Sequence, residues 1–503
     1  MIDTNLDNQK DTKQPNLLLI TVDQMRFDCL SIMGHPVVET PNLDALASRG
    51  ILFEHAYSAT PSCIPARAAI MTGMGQRSHG RVGYQDKVEW NYAHTIAGEL
   101  AQAGYHTQCV GKMHVYPARN LCGFHNVVLH DGYLHYNRDK NQTFHGEHYD
   151  QVDDYLQWLR RQTDTNSDIT DLGLDCNAST VARPWHLPEA MHPTNWCVTE
   201  SLDFLRRRDP GKPFFLWSSF VRPHSPLDPP QCYLDMYKDL EFPDPPIGDW
   251  VDESAALNAA KDPTSSFTNL PKRRLDRARA AYYALITHLD DQIGRLINGL
   301  QEYGVLNETL ILFTSDHGEM MGDHHYFRKS LPYEGSAKIP FIVFDPGETL
   351  GLLAGSRLDS IVELRDIMPT FLEAAGVQIP FTVEGQSVLP LCRGDQTLWR
   401  SYIHGEQAYG EKSHHFLTDG REKFIWYSQT GEEQYFDLAA DPSEKINAIG
   451  CIDKFERIKE WRERLIHELE GREEGFVNNG EWIAGRPISH ILKASQLGGI
   501  IIT

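Results

Sequence analysis

The sequence predicts an α/β fold: a mostly parallel sheet sandwiched by helices, then a smaller C-terminal antiparallel sheet plus helix. Three observations carry this. Continuous apolar runs recur at Leu17–Val22, Pro213–Phe220, Thr309–Phe313 and Ile339–Phe344. They are unbroken rather than alternating, as in strands buried on both faces. Helix-period stretches separate them, the longest and most amphipathic being Lys272–Leu300. Past residue 390 the texture changes to short strand-length segments joined at Asp419-Gly420 and Thr430-Gly431.

Taken in order, residues 1–15 form a polar tail, and the first strand begins at Asn16 and ends in Asp23-Gln24. Thr40-Pro41 through Gly50 is a helix with an N-cap, a proline at its first position and a terminal glycine. Residues 92–103 are a second helix, followed by a strand from His106 to Val110. Residues 124–190 are rich in His, Asp, Asn and Trp with weak periodicity, which predicts an insertion over the strand ends that sets specificity. The run from Pro213 stops before Val221-Arg222-Pro223-His224, and that from Thr309 stops at Thr314-Ser315-Asp316-His317-Gly318. Strands follow at Ser401–Gly405, Ser413–Thr418, Glu422–Ser428 and Glu433–Leu438, with a helix over about 453–470. The organisation expected is a tail (1–15), a main unit (16–390) and a C-terminal α+β subdomain with its own tail (391–503).

Composition narrows the function. Of 503 residues, 47 are Lys or Arg and 69 are Asp or Glu, a net charge of −22. A field of that sign repels a polyanion, so no nucleic-acid partner is expected. No apolar run approaches the roughly 18 residues of a membrane span, so no membrane partner is expected. Nine cysteines are scattered without a CxxC pair, and the N-terminus has no apolar leader core, which predicts reduced thiols and a cytoplasmic location.

On parallel sheets, functional groups gather at the carboxyl ends of strands. Asp23, Lys112, His224 and Asp316 all fall just past a predicted strand end. Each alone has a plain explanation as a cap, turn or surface residue; four agreeing placements carry more weight. In Pro61-Ser62-Cys63-Ile64-Pro65-Ala66-Arg67, Pro65 can open a helix and set Cys63 beside its positive end, with Arg67 one turn in. An activated thiolate and an ordinary buried cysteine both satisfy that arrangement. Lys112 and His114, two apart, share a side if the chain is extended. His224 sits between two prolines on a stiff loop.

The pattern Cys63-x-Pro65-x-Arg67, with Thr72-Gly73 after the next four residues, resembles the signature of the formylglycine-dependent sulfatases. The likeness runs in the family's order from Asn16 to about Pro442. It implies an alkaline-phosphatase-like fold and hydrolysis of a sulfate monoester to alcohol plus sulfate. It also implies that Cys63 is oxidised to formylglycine by a formylglycine-generating or anaerobic sulfatase-maturating enzyme. Asp23, Gln24, Cys63, Asp316 and His317 match the family's metal ligands, with Ca²⁺ the first choice and Mn²⁺ or Mg²⁺ the alternatives. Arg67, Lys112, His114, His224 and Lys329 match its catalytic residues. Many arylsulfatases carry Asp-Asp and Asp-Asn where this chain has Asp23-Gln24 and Asp316-His317. That pairing resembles choline sulfatases and phosphonate monoester hydrolases. Gly111-Lys112-Met113-His114, which phosphonate hydrolases generally lack, favours sulfate. A phosphonate or phosphodiester hydrolase and a non-catalytic metal-binding member remain the alternatives. On spacing alone His324 and His325 could ligate the metal, but they are expected in the substrate pocket or behind the ligands.

Overall fold

The computed structural model describes residues 14–132, 152–163 and 167–493. Most of the predicted tail and parts of the 124–190 segment (133–151 and 164–166) therefore lie outside the described residues, as does the chain from 494 onward.

Eight strands form the main sheet: β1 (Asn16–Asp23), β2 (Ile51–Tyr57), β3 (His106–Gly111), β4 (Asn126–Leu129), β5 (Phe214–Pro223), β6 (Thr309–Ser315), β7 (Phe341–Phe344) and β8 (Ser356–Glu363). Their spatial order is β4-β3-β5-β1-β6-β7-β2-β8. Only β7 runs antiparallel to its neighbours. The unbroken apolar runs follow from burial on both faces. From β1, Leu18, Ile20 and Val22 join Leu216, Phe220, Ile311 and Phe313 in one apolar layer. That layer is covered by helices Pro41–Arg49, Pro193–Arg207 and Lys272–Glu302. Leu17 and Leu19 join Phe215, Trp217, Leu310 and Leu312 in the other layer, under helices Cys63–Thr72, Ile96–Gln102 and Ile367–Ala374.

The expected strands and helices are present, most with shifted ends. The helix expected over 92–103 starts only at Ile96, where Thr95 caps it by accepting the Gly98 N–H. Three strands had no sequence signal. β8 alternates half-buried with exposed residues over its first five positions, β4 is a four-residue edge, and β2 carries half-buried Glu54 and His55. β4 also shows that the 124–190 segment begins inside the sheet.

The second sheet is antiparallel: β9 (Ile403–Gln407), β10 (His414–Thr418), β11 (Glu422–Tyr427) and β12 (Glu433–Asp437). Its two faces do different work. Ile403, Phe416, Ile425 and Phe436 pack on Tyr57, Tyr333 and Ile361 of the main unit. Leu417, Phe424, Trp426 and Tyr435 pack under Trp461, Leu465 and Leu469 of helix Phe455–Leu469. Fully buried Lys423 bonds Glu334 at 2.8 Å and Glu444 at 2.7 Å, and Tyr333 Oη donates to Gln434 at 3.0 Å. The C-terminal sheet thus braces the loop that carries Lys329.

Gly111 ends β3 at φ 99°, where a Cβ would overlap the Ser219 carbonyl that accepts the Lys112 N–H at 2.8 Å. Gly111→Ala is expected to cost about 1–3 kcal/mol through this strained position and the displaced strand end. Thermal unfolding reads it; an unchanged melting temperature would show that the strand end is slack.

Candidate active site

β3, β5, β1 and β6 are consecutive and mutually parallel, so their carboxyl ends share one edge. Lys112 follows β3, His224 follows β5, Asp23 ends β1 and Asp316 follows β6. With strands about 4.8 Å apart, the four groups arrive in a row about 15 Å long. Cys63 and Arg67 enter from the first turn of helix Cys63–Thr72. All six side chains are buried.

That helix begins at Cys63 itself, with Ser62 as its extended N-cap. Pro65 is therefore its third residue, not its first. The position tolerates proline because first-turn N–H groups have no intrahelical partner. The Cys63 sulfur lies 3.1 Å from Lys329 Nζ, 3.3 Å from His317 Nε2 and 3.7 Å from Asp23 Oδ1. Burial and Asp23 push its pKa up, but Lys112, Lys329 and His317 outweigh them and hold it well below the usual thiol range. Arg67 bonds Asp316 Oδ2 at 3.2 Å, the Lys112 carbonyl at 2.6 Å and Ser219 Oγ at 2.9 Å.

One donor atom from each of Asp23, Cys63, Asp316 and His317 lies within 4.8 Å of the others. His317 Nδ1–H donates to the Gly318 carbonyl at 3.0 Å, which leaves Nε2 facing this cluster. Gln24 adopts φ 72° and gives its N–H to Asp316 Oδ1 at 3.2 Å. Its side-chain oxygen is buried without a hydrogen-bond partner. Two carboxylates, an imidazole nitrogen and an orphan amide oxygen make a donor set that fits one divalent cation. Lys112 Nζ pairs with Asp23 Oδ2 and, with Lys329, holds Asp23 well below the carboxylate range against its burial. Burial and the Asp23 charge raise Asp316 instead.

Lys112 and His114 do not share an extended chain: His114 is left-handed, at φ 58°. The Asp131 carboxylate fixes that turn by accepting the Met113 and His114 N–H groups at 2.8 and 3.0 Å. Burial opposes protonation of His114, but Asp86, 3.4 Å from its Nε2, and the Cys63 sulfur lift its pKa above the ordinary value. His224 Nδ1–H donates to the Ser225 carbonyl at 2.7 Å, so Nε2 accepts from Lys329 Nζ at 2.7 Å. Burial and the Lys329 charge push His224 down to about 3. His324 and His325 do not join this donor cluster. His324 accepts the Gly248 N–H and packs on Trp250, and His325 pairs with Glu253.

Sequence reasoning missed Ser219, Asp131, Asp86, Glu319 and Asp228, which clamps Arg222 with two 2.6 Å bonds behind His224. Only Glu319 had a local signal, following Asp316-His317-Gly318 directly.

A family model described as Sulfatase matches residues 15–377. The chain belongs to the sulfatase family. A second model, N-sulphoglucosamine sulphohydrolase, C-terminal, matches residues 322–471 of this sulfatase. An arylsulfatase of Clostridium perfringens is 56% identical over 476 residues, covering 95% of this chain and 98% of its own. A choline-sulfatase of Rhizobium meliloti is 30% identical, covering 87% and 82%. Among solved structures, the phosphonate monoester hydrolase of Agrobacterium radiobacter superposes with a TM-score of 0.72 at 25% identity, covering 90% of this chain and 95% of its own. The fold is that of the alkaline phosphatase superfamily, and the activity class is sulfuric ester hydrolysis.

Asp316→Asn keeps the size of a central donor but removes its charge and replaces one oxygen by an NH₂ that cannot ligate. It is expected to lower bound divalent metal by at least the about 10-fold that loss of an outer partner costs. Elemental analysis at limiting metal measures this; unchanged occupancy would remove Asp316 from the ligand set.

Proposed function

We propose that this sulfatase cleaves sulfate monoesters (aryl, steroid or sugar sulfates) to alcohol plus sulfate through a hydrated formylglycine made from Cys63. One divalent metal, Ca²⁺ first and Mn²⁺ or Mg²⁺ otherwise, would be held by Asp23, Gln24, Asp316, His317 and the matured residue 63. The observation that carries the proposal is the convergence on the Cys63 sulfur of Lys329, His317 and Asp23, with Lys112, His114 and His224 just behind. The 56% identical arylsulfatase supports sulfate over phosphonate.

A metal held there would supply Lewis acidity toward the sulfuryl oxygens and the attacking hydroxyl, whose proton passes to Asp316 or Asp23 beside residue 63. Lys112 and Lys329 neutralise the sulfuryl charge, in a site where burial strengthens both. Arg67, tied to Asp316 and Ser219, fixes the first turn that presents residue 63. His224 is neutral at neutral pH and accepts from Lys329, so Lys329 carries the proton for the leaving oxygen and His224 aims it. His114, with basicity raised by Asp86, takes the proton of the second hydroxyl as sulfate leaves. Residues 16–390 hold the chemistry, and 124–190 supply leaving-group specificity. Maturation requires a formylglycine-generating or anaerobic maturating enzyme as partner. Nine free thiols support a reducing, cytoplasmic setting.

The test offers one nitrophenol as its sulfate monoester and as phenylphosphonate, to the matured chain and to Cys63→Ala. Sulfate turnover is expected to dominate and to fall at least about 10⁴-fold in Cys63→Ala. Phosphonate turnover well above sulfate would mean that Gln24 and His317 define the substrate. Lys329→Met should depend on the leaving group. The expected loss is about 10²–10⁴-fold on an alkyl sulfate and far less on nitrophenyl sulfate, which needs little proton assistance. Equal losses on both would take the general-acid role from Lys329.

A further inference from the structure

Glu319 is fully buried beside the metal donors, yet it is not one of them. Three donors occupy its two oxygens. Oε2 accepts from the Gln24 side-chain amide. Oε1 accepts the backbone N–H of Met321 at 2.9 Å and that of Arg328. These bonds join the two halves of the site.

The first bond decides which end of the Gln24 amide is available. A primary amide has a donor end and an acceptor end. A carboxylate can only accept, so it takes the NH₂ end, and the oxygen end is the one left buried and unpartnered. The backbone of Gln24 is already fixed, since its carbonyl accepts from Tyr282 Oη at 2.7 Å and its N–H bonds Asp316. The amide orientation is thus the remaining freedom, and Glu319 removes it.

The second pair of bonds closes the loop that ends at Lys329. Met321, His324, His325, Arg328 and Ser330 all have positive φ, between 47° and 70°. Such residues persist only where the surroundings over-determine them. Backbone bonds Met320 N–H to Arg328 and Gly322 N–H to Tyr326, both 2.8 Å, form the loop's ladder. Glu319 fastens its two sides, one residue short of Lys329.

We infer that Glu319 is a positioning residue whose buried carboxylate holds the Gln24 amide with its oxygen free for the metal and fastens the loop that presents Lys329. This rests on the metal-dependent sulfatase mechanism proposed above.

The experiment titrates Ca²⁺ calorimetrically into matured, metal-stripped protein: wild type, Glu319→Gln, Gln24→Ala and the double variant. The amide of Glu319→Gln keeps one oxygen for three donors; set toward the Met321 and Arg328 N–H groups, it leaves its NH₂ facing the Gln24 NH₂. A 10–100-fold weaker Ca²⁺ affinity is expected. The double variant should bind Ca²⁺ no more weakly than Gln24→Ala, because both changes act through one oxygen. Its kcat should still fall below that of Gln24→Ala, because the loop bonds to Met321 and Arg328 are independent of Gln24. Wild-type affinity in Glu319→Gln, or losses that add in the double variant, would overturn the inference while leaving the mechanism standing. A wild type that binds no divalent ion would overturn both. If Glu319→Gln does not fold, the exchange Glu319→Gln with Gln24→Glu restores one donor facing one acceptor. Recovered folding and Ca²⁺ binding supports the pairing, and an exchange that stays unfolded or metal-free refutes it.

Discussion

Four ionisable side chains, Asp23, Arg67, Lys112 and Asp316, are buried with no exposed surface at one edge of the sheet. Taking charge out of water costs several kcal/mol per ion unless it is paired and hydrogen-bonded. Here every charge has a partner from a different segment: Lys112 with Asp23, and Arg67 with Asp316. Arg67 also bonds the main chain at Lys112, which links the two pairs. The architecture answers this constraint. Parallel neighbours bring four chain ends to one edge, and the apolar layers on either face keep water from the sides. Removing one member would strand its partner, so these residues are as much a condition of folding as of chemistry.

The same electrostatics divides labour between similar groups. Asp23 faces two lysines and stays ionised, while Asp316 feels Asp23 and burial first and is raised. His224 and His114 are both buried. One lies against an ammonium and is driven neutral; the other lies beside a carboxylate and becomes more basic. Opposed environments for like residues are how one pocket holds both an acid and a base.

Much of this was legible in the sequence. β1, β3, β5 and β6 are runs or short segments that no other element explains, and the residues just past them form the site. The Cys63–Gly73 stretch pointed to the family whose fold and activity class the chain shares. What stayed hidden has physical reasons. β8 and β2 carry polar residues because each is covered unevenly, and β4 is too short for a period. Ser219, Asp131 and Asp86 act through a few hydrogen bonds to residues far away in sequence or in left-handed turns, and neither leaves a periodic trace. The extended geometry expected of Lys112 and His114 failed because Asp131 holds a turn there. His324 and His325, adjacent to the right segment, turn to Trp250 and Glu253 instead.

Burial of Cys63 also sets an order of events. Its side chain has no exposed surface, and groups from β1, β5 and β6 and the Lys329 loop close around it. Another protein cannot reach such a sulfur in the finished fold. Residue 63 leaves the ribosome long before residues 214–223, 309–317 and 329, so for that interval it lies on an open chain. A macromolecule that alters it therefore meets an open chain, before the fold closes over the sulfur.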